Sequence, residues 1–149
     1  MIVIRKMQDC DVDAVLQIES ETLSPWSGSS VRSELQRSTR SVFVAEDDHL
    51  GMRQVVGWYS ASFTPPEAEL LKVTVKSNKR RQGVGSELLE HLFSELAGEG
   101  IEDLFLEVRS QNISALTLYI KMGFVEVGCR LAYYPEPIDD ALILVKKIE

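Results

Sequence analysis

One stretch of the chain combines residue types and spacing that suit the binding of a phosphate: Arg80-Arg81-Gln82-Gly83-Val84-Gly85-Ser86, set between a strand-like segment and a strongly amphipathic one. A strand-to-helix turn leaves the first N–H groups of the helix without partners and aims them at one spot, where the helix dipole adds positive potential. Such a turn is an anion site. A Cβ at 83 or 85 would crowd an approaching phosphate or force an unfavourable φ, which is a reason for the two glycines. Two rival phosphate motifs are excluded by the residues themselves. A P-loop needs Gly-Lys-Ser/Thr after its glycine spacing, and no lysine stands there; a dinucleotide fingerprint needs a third glycine where Leu88 stands. Taken alone, the turn also fits a tight connection with solvated arginines.

The surroundings of this turn narrow the chemistry. The formal charge is −7, which repels a polyphosphate backbone over most of the surface, so nucleic acid is not the expected partner and a basic peptide or an amine is. Against that background Lys76, Lys79, Arg80 and Arg81 form a local basic cluster at the turn. Cys10 and Cys129 make no disulfide framework and no zinc pattern and read as packing residues. His49 and His91 are isolated, read as solvated, and give no metal set. The longest apolar runs, such as Ala141 to Val145, fall far short of the roughly 20 residues of a membrane span. Met1 leads directly into strand-like sequence, so a cytoplasmic protein without membrane anchoring is expected.

The elements that must position the turn are legible from periodicity. With 44% hydrophobic residues in 149, the chain suits one domain over 1–149, and no repeat or linker divides it. Ile2 to Arg5 reads as a strand. Asp11 to Glu19 reads as a helix with Asp9 or Asp11 as its cap, and Ser27 to Leu35 as a second helix capped by Ser27. Ser41 to Glu46 and Gln54 to Phe63 form a hairpin pattern, and Glu69 to Val75 is a further strand. After the glycine turn, Leu88, Leu89, Leu92, Phe93 and Leu96 share one helical face, which Gly98 and Gly100 end. Asp103 to Val108 is a strand, Asn112 to Met122 a helix, and Phe124 to Leu131 and Ala141 to Lys147 are strands. The expected order is β-α-α-β-β-β-α-β-α-β-β.

The turn resembles the R/Q-x-x-G-x-G/A pyrophosphate loop of the GNAT acetyltransferases, and further segments carry the same likeness. Glu67 to Val75, Leu106 to Asn112, Leu118-Tyr119, Gly123-Phe124, Tyr133-Tyr134-Pro135 and Pro25-Trp26-Ser27 resemble the RimI-like branch, the bacterial ribosomal-protein alanine N-acetyltransferases. The resemblance covers nearly the whole chain and implies an α/β GNAT fold: a mixed, twisted sheet splayed at its central strands, with helices on both faces. It implies acetyl-CoA as acetyl donor, no metal, and the N-terminal amine of a protein as acceptor, a ribosomal protein beginning with alanine. A monomer or weak homodimer is expected, and a small amine is the alternative acceptor. By the same resemblance the backbone of Val73, Thr74 and Val75 flanks the acetyl and pantetheine portion. Arg81, Gln82, Gly83, Val84, Gly85 and Ser86 hold the pyrophosphate, and Asn112 contacts the cofactor. The sequence departs from the family at Lys72 and Thr74, where Asn and Ala are usual, and at Lys76-Ser77 in place of Asp-Pro; Lys72 bears on the acceptor pocket.

Acetyl transfer to an amine needs a neutral nucleophile, stabilisation of a tetrahedral oxyanion, and a proton for the departing thiolate. Glu107 is the candidate base: strand alternation puts Leu104, Leu106 and Val108 on one face and Phe105 and Glu107 on the other. Tyr119, on the helix after that strand, is the candidate acid, in the Leu-Tyr-x-x-x-Gly-Phe context of the family. The residues alone also fit a surface glutamate and a core tyrosine. A strand N–H near Val73 is expected to meet the oxyanion. Glu67 and Glu69 are placed with Glu107 around an acceptor ammonium, Tyr133 and Tyr134 as a wall over an extended peptide, and Trp26 at the same site.

Overall fold

The computed structural model describes residues 1–148. Its strands and helices keep the predicted order: β1 (Ile2–Lys6), α1 (Val12–Glu19), α2 (Gly28–Leu35), β2 (Arg40–His49), β3 (Met52–Thr64), β4 (Glu67–Val75), α3 (Val84–Ala97), β5 (Asp103–Arg109), α4 (Ile113–Lys121), β6 (Val125–Pro135) and β7 (Ile138–Lys147). All strands join one seven-stranded sheet, ordered β1-β2-β3-β4-β5-β7-β6. Every neighbouring pair is antiparallel except β4 and β5. Antiparallel neighbours need only short turns, whereas the parallel pair needs a crossover, and α3 supplies it. The β2–β3 hairpin is longer than its hydrophobic runs suggest. Leu50 and Gly51 form its tip with φ of 53° and 80°, the two-residue turn whose twist matches that of the strands.

Cross-strand pairing sorts the side chains onto two faces. On the first lie Val42, Val44 and Trp58, which join Met7, Val12, Val15 and Val31 in a core beneath α1 and α2. On the second lie Phe43, Tyr59, Ala61, Leu70, Leu104 and Leu106, packed with Leu88, Leu89, Leu92 and Leu96 of α3 and Tyr119 of α4. Helices therefore cover both faces, as expected. Each fully buried leucine contributes about 1.5–3 kcal/mol by leaving water, so α3 is held by its apolar stripe.

Two irregularities in β4 open the centre of the sheet. Ser60 pairs with Lys72 and Ala61 with Leu70, so Leu71 is an extra residue, a bulge that bends the strand. Beyond it β4 leaves β5. The parallel ladder runs only from Glu67–Asp103 through Ala68–Leu104 to Glu69–Phe105. Past that point the two strands diverge, which is the expected central splay.

Three local expectations are overturned. Asp11 stands at the N-cap position of α1 but its side chain makes no cap bond there; it closes a 3-10 turn over Asp9–Asp11, and its carboxylate accepts from the Gln8 N–H at 2.8 Å and the Arg5 guanidinium at 2.8 and 2.9 Å. Cys10 and Cys129 are exposed thiols, not packing residues, because β6 is an edge strand with no helix over Cys129. His91 is not solvated. Its Nδ1 lies 2.9 Å from the Tyr59 hydroxyl and its ring 4.4 Å from that of Phe43, since α3 turns that position toward β2 and β3. His49 is exposed, as expected.

Candidate active site

The glycine turn sits at the start of α3 on the β4 side of the splay. Gly83 is the N-cap with φ of 86°, and Arg81 is also left-handed at 63°. The first N–H to bond back along the helix is that of Glu87, to the Gly83 carbonyl at 3.0 Å. The N–H groups of Val84, Gly85 and Ser86 thus precede the hydrogen-bonded helix and face out of its end. The two glycines serve different purposes. A Cβ on Gly83 would meet nothing within 4 Å, so backbone conformation alone selects glycine there; a Cβ on Gly85 would stand 2.9 Å from Cδ2 of Leu118. Gly85 lets α3 and α4 pack closely at the end of the splay. Arg81 and Gln82 are exposed. Gln82 donates to the Asn78 carbonyl at 3.2 Å and Arg80 Nε to that of Val75 at 3.1 Å, which fixes the turn against β4.

Asn112 caps α4, its side-chain oxygen accepting from the Ala115 N–H at 3.2 Å. That bond orients the residue while the amide NH2 stays exposed with it. Val73 and Val75 are half-buried against the α3 core. Thr74 points to the other face, where it donates to Glu19 at 2.7 Å. The side chain of Thr74 belongs to the α1 side, and only its backbone borders the splay.

Glu107 and Tyr119 flank the splay from opposite faces of the sheet. Glu107 is half-buried, with its carboxylate 3.4 Å from the Arg130 guanidinium. Glu69 lies on the same face, paired across the short ladder with Phe105. Glu69 is exposed at the surface, yet partial desolvation of its carboxyl, together with the charge of Glu107, holds it above the usual carboxylate range. Glu67 shares that face and is exposed as well. Tyr119 is buried at 8% exposure, its ring edge-on to Phe124 at 5.5 Å. Burial and, secondarily, the neighbouring Tyr134 push its phenol well above the ordinary value, so it keeps its proton.

The wall residues also converge. Tyr134 is half-buried with the Arg109 guanidinium 4.3 Å from its ring centroid, and Tyr133 stands edge-on to it at 5.2 Å. Burial and the charge of Glu107 raise the Tyr134 phenol. Trp26 is half-buried, its ring 5.6 Å from that of Trp58 and its N–H 3.0 Å from a Glu19 oxygen.

Sequence reasoning missed three residues here. Glu19 is fully buried in the sheet-facing stripe of α1; its spacing from Val12 and Val15 marks that face, but a charged residue was not expected on it. Arg109, buried at the end of β5, donates to Ser24 Oγ at 3.0 Å and to the carbonyls of Pro137 and Glu136 at 2.9 and 3.3 Å. Arg130 carried no local signal at all. Among the described residues no group of His, Cys, Asp and Glu can hold a metal, and no helix is long and apolar enough to cross a membrane.

Known proteins resemble this chain in sequence and fold. The chain is 31% identical to the [ribosomal protein bS18]-alanine N-acetyltransferase of Haemophilus influenzae over 92% of its own length and 90% of the relative's. It is 32% identical to that of Salmonella typhimurium over 93% and 92%. The Escherichia coli enzyme of that name matches at 43% over 84 residues, so the aligned part spans 57% of that relative and 55% of this chain. The crystal structure of the E. coli ribosomal-protein-S18-alanine N-acetyltransferase superposes with a TM-score of 0.89 at 31% identity, covering 100% of this chain and 95% of that one. Ard1 from Thermoplasma volcanium also superposes at 0.89, with 26% identity and coverage of 99% and 98%. The expected kinship with the RimI-like branch is thus borne out by the names these relatives carry. Residues 12–124, from the first residue of α1 through the glycine turn, β5 and α4, match the acetyltransferase (GNAT) family, and the chain belongs to that family.

Proposed function

We propose that the protein is an acetyl-CoA-dependent Nα-acetyltransferase whose acceptor is the N-terminal amine of a protein, by analogy with its relatives a ribosomal protein beginning with alanine. The observation that carries this reading is the parting of β4 from β5 after Glu69 and Phe105, with the glycine turn at one end and Glu107 and Tyr119 on either side. The residues present suit acetyl-CoA. Unbonded N–H groups at the start of α3, the left-handed Gly83 and the exposed Arg81 would hold the pyrophosphate, helped by Gln82 and the Ser86 hydroxyl. The exposed amide of Asn112 would contact the cofactor from the α4 side, and the backbone of Val73, Thr74 and Val75, free of any β5 partner, would line the pantetheine arm.

Acetyl-CoA supplies the activated acetyl thioester. The chain's residues then act at three points. Glu107 takes a proton from the acceptor ammonium, directly or through a water, leaving the nitrogen lone pair to form the new C–N bond. A strand N–H near Val73 stabilises the oxyanion. Tyr119 gives its proton to sulfur as the C–S bond breaks, a role that suits a buried, protonated phenol; the second proton of the attacking nitrogen is shed to solvent as the amide forms, and solvent returns a proton to the phenolate. Glu67 and Glu69 draw a cationic N-terminus toward the face that bears Glu107, and Trp26, Tyr133 and Tyr134 border the path of the peptide. The cytoplasm and a monomer or weak homodimer are the setting we infer.

The test is acetyl-CoA-dependent thiol release with a short peptide bearing a free alanine N-terminus, beside an N-blocked twin with an internal lysine. Turnover of the free peptide alone is expected. Turnover of free amino acids or polyamines with neither peptide used would replace the protein acceptor by a small amine.

A further inference from the structure

The loop between α1 and α2 is tied to both sides of the splay through one exposed residue, Ser24. Its carbonyl accepts from Nζ of Lys72 on β4 at 3.0 Å, and its hydroxyl from Arg109 on β5 at 3.0 Å. These two strands have no ladder between them at this level. Ser24 is the bridge.

Each anchor is itself fixed. Lys72 lies 3.4 Å from Oε1 of Glu19, a carboxylate with no exposed surface. Oε1 also accepts from the Trp26 N–H at 3.0 Å, and Oε2 accepts from Trp58 Nε1 at 3.0 Å and from the Thr74 hydroxyl at 2.7 Å. A buried carboxylate persists only when its lone pairs are met, and here Oε2 has two hydrogen-bond donors while Oε1 has the Trp26 N–H and the nearby Lys72 ammonium. On the other side Arg109 holds the β6–β7 turn through the Glu136 and Pro137 carbonyls and lies over the ring of Tyr134. Glu19, Lys72, Ser24 and Arg109 therefore form a continuous polar strap from α1 across the opening to the Tyr133–Tyr134 wall. Lys72 and Thr74, the departures from the family pattern, are both members of it or bonded to it.

We propose that this strap is a positioning device that fixes the acceptor-side rim of the opening, with Glu19 and Ser24 as positioning residues that set acceptor affinity without touching the reacting atoms. The proposal rests on the acceptor reading given under the proposed function. The strap lies on the face that carries Glu69 and Glu107, whereas the glycine turn that suits the pyrophosphate is at the start of α3. Loss of the strap should loosen the rim and leave acetyl-CoA binding alone.

Three variants test this. In Glu19→Gln the amide NH2 replaces an oxygen that accepts from protein donors, so at least one hydrogen bond is lost whichever way the amide turns, along with the charge that faces Lys72. Ser24→Ala removes only the Arg109 link from an exposed position that folding tolerates, and Ser24→Thr restores the hydroxyl. With the alanine peptide as probe, Glu19→Gln and Ser24→Ala should each raise the acceptor KM by roughly tenfold, with kcat and the acetyl-CoA KM within about twofold. Ser24→Thr should return KM toward the wild-type value. Tryptophan emission gives a readout independent of any acceptor, because Trp26 and Trp58 are the chain's two tryptophans: Glu19→Gln should shift it to the red. An acceptor KM that stays put in Ser24→Ala, or moves together with the acetyl-CoA KM, overturns the inference, as does a Ser24→Thr variant no better than alanine. If Glu19→Gln does not fold, Ser24→Ala and Ser24→Thr decide alone. Wild-type protein that turns over no peptide fails the acceptor reading instead, a result distinct from unequal KM values among active variants.

Discussion

Replacing Tyr119 by Phe removes one oxygen and little else. The ring would keep its edge-on contact with Phe124, and no hydrogen bond of the hydroxyl to the protein contributes to its shifted ionisation. No orphaned partner is left behind, so stability should change by less than about 1 kcal/mol, a melting shift of at most about 2–4 °C for a chain of this size. Turnover should respond far more. General acid catalysis is worth about 10²–10⁴-fold, or about 2.7–5.4 kcal/mol on the barrier, and the loss should fall on kcat while acetyl-CoA affinity by calorimetry is unchanged. The same burial sets the pH behaviour. The raised phenol stays protonated through the working range, so wild-type kcat should not fall up to about pH 9 on account of this group, given an unperturbed tyrosine near 10. With the folded value above the unfolded one, the stabilisation linked to Tyr119 is complete below about pH 10 and is lost as the pH rises from there toward the folded value. The Phe variant should lack that alkaline loss. A Tyr119→Phe enzyme with kcat within threefold of wild type and normal binding would remove Tyr119 as the acid and refute the argument from its burial.

Other perturbations read different parts of the site. Glu107→Gln should fold normally, since its half-exposed pair with Arg130 is worth about 0–1 kcal/mol, yet turn over slowly at pH 7; the deficit should shrink above about pH 8, where an N-terminal amine deprotonates unaided. Gly83→Ala meets no steric obstacle, so its cost is the left-handed backbone, about 1–2 kcal/mol, and it should raise the acetyl-CoA KM more than the peptide KM. Acid melts should show the Arg5–Asp11 pair. Hydrogen bonding to Arg5 holds the Asp11 carboxyl below the usual range, so its stabilisation is present above the unfolded value of about 3.9 and is lost as pH falls through the folded one; Asp11→Asn should flatten that part of the melting curve.

Much of this molecule is legible because its signals are local. The apolar stripe of α3 and the alternation of β5 each report a face within one element, and the order of elements comes from them. The turn at 80–86 is legible for the same reason: glycines and a helix start are neighbours in sequence. What escapes is pairing at long range. Nothing near His91 announces Tyr59, 32 residues away, and nothing near Ser24 announces Arg109, 85 residues away. A one-residue bulge at Leu71, invisible to a period-two reading, decides which side of β4 faces which neighbour.

That bulge joins the fold to the chemistry. Before it, Glu67 and Glu69 share the face of Phe105 and Glu107 through the short parallel ladder; after it, Lys72 and Thr74 take the same face although their parity in the sequence has changed. Were Leu71 paired in a regular ladder instead of bulged, Lys72 would turn toward the α3 core and Val73 toward Glu19, burying an unpaired ammonium and leaving the carboxylate short of donors. The bend therefore does two things at once. It carries β4 away from β5, opening the space between Glu107 and Tyr119, and it delivers Lys72 and Thr74 to the buried carboxylate that ties the α1–α2 loop across that space. Deleting Leu71 would keep Lys72 and Thr74 on their face but remove the bend, so it should lower peptide turnover by narrowing the opening between β4 and β5, even where the glycine turn and the α3 core remain intact.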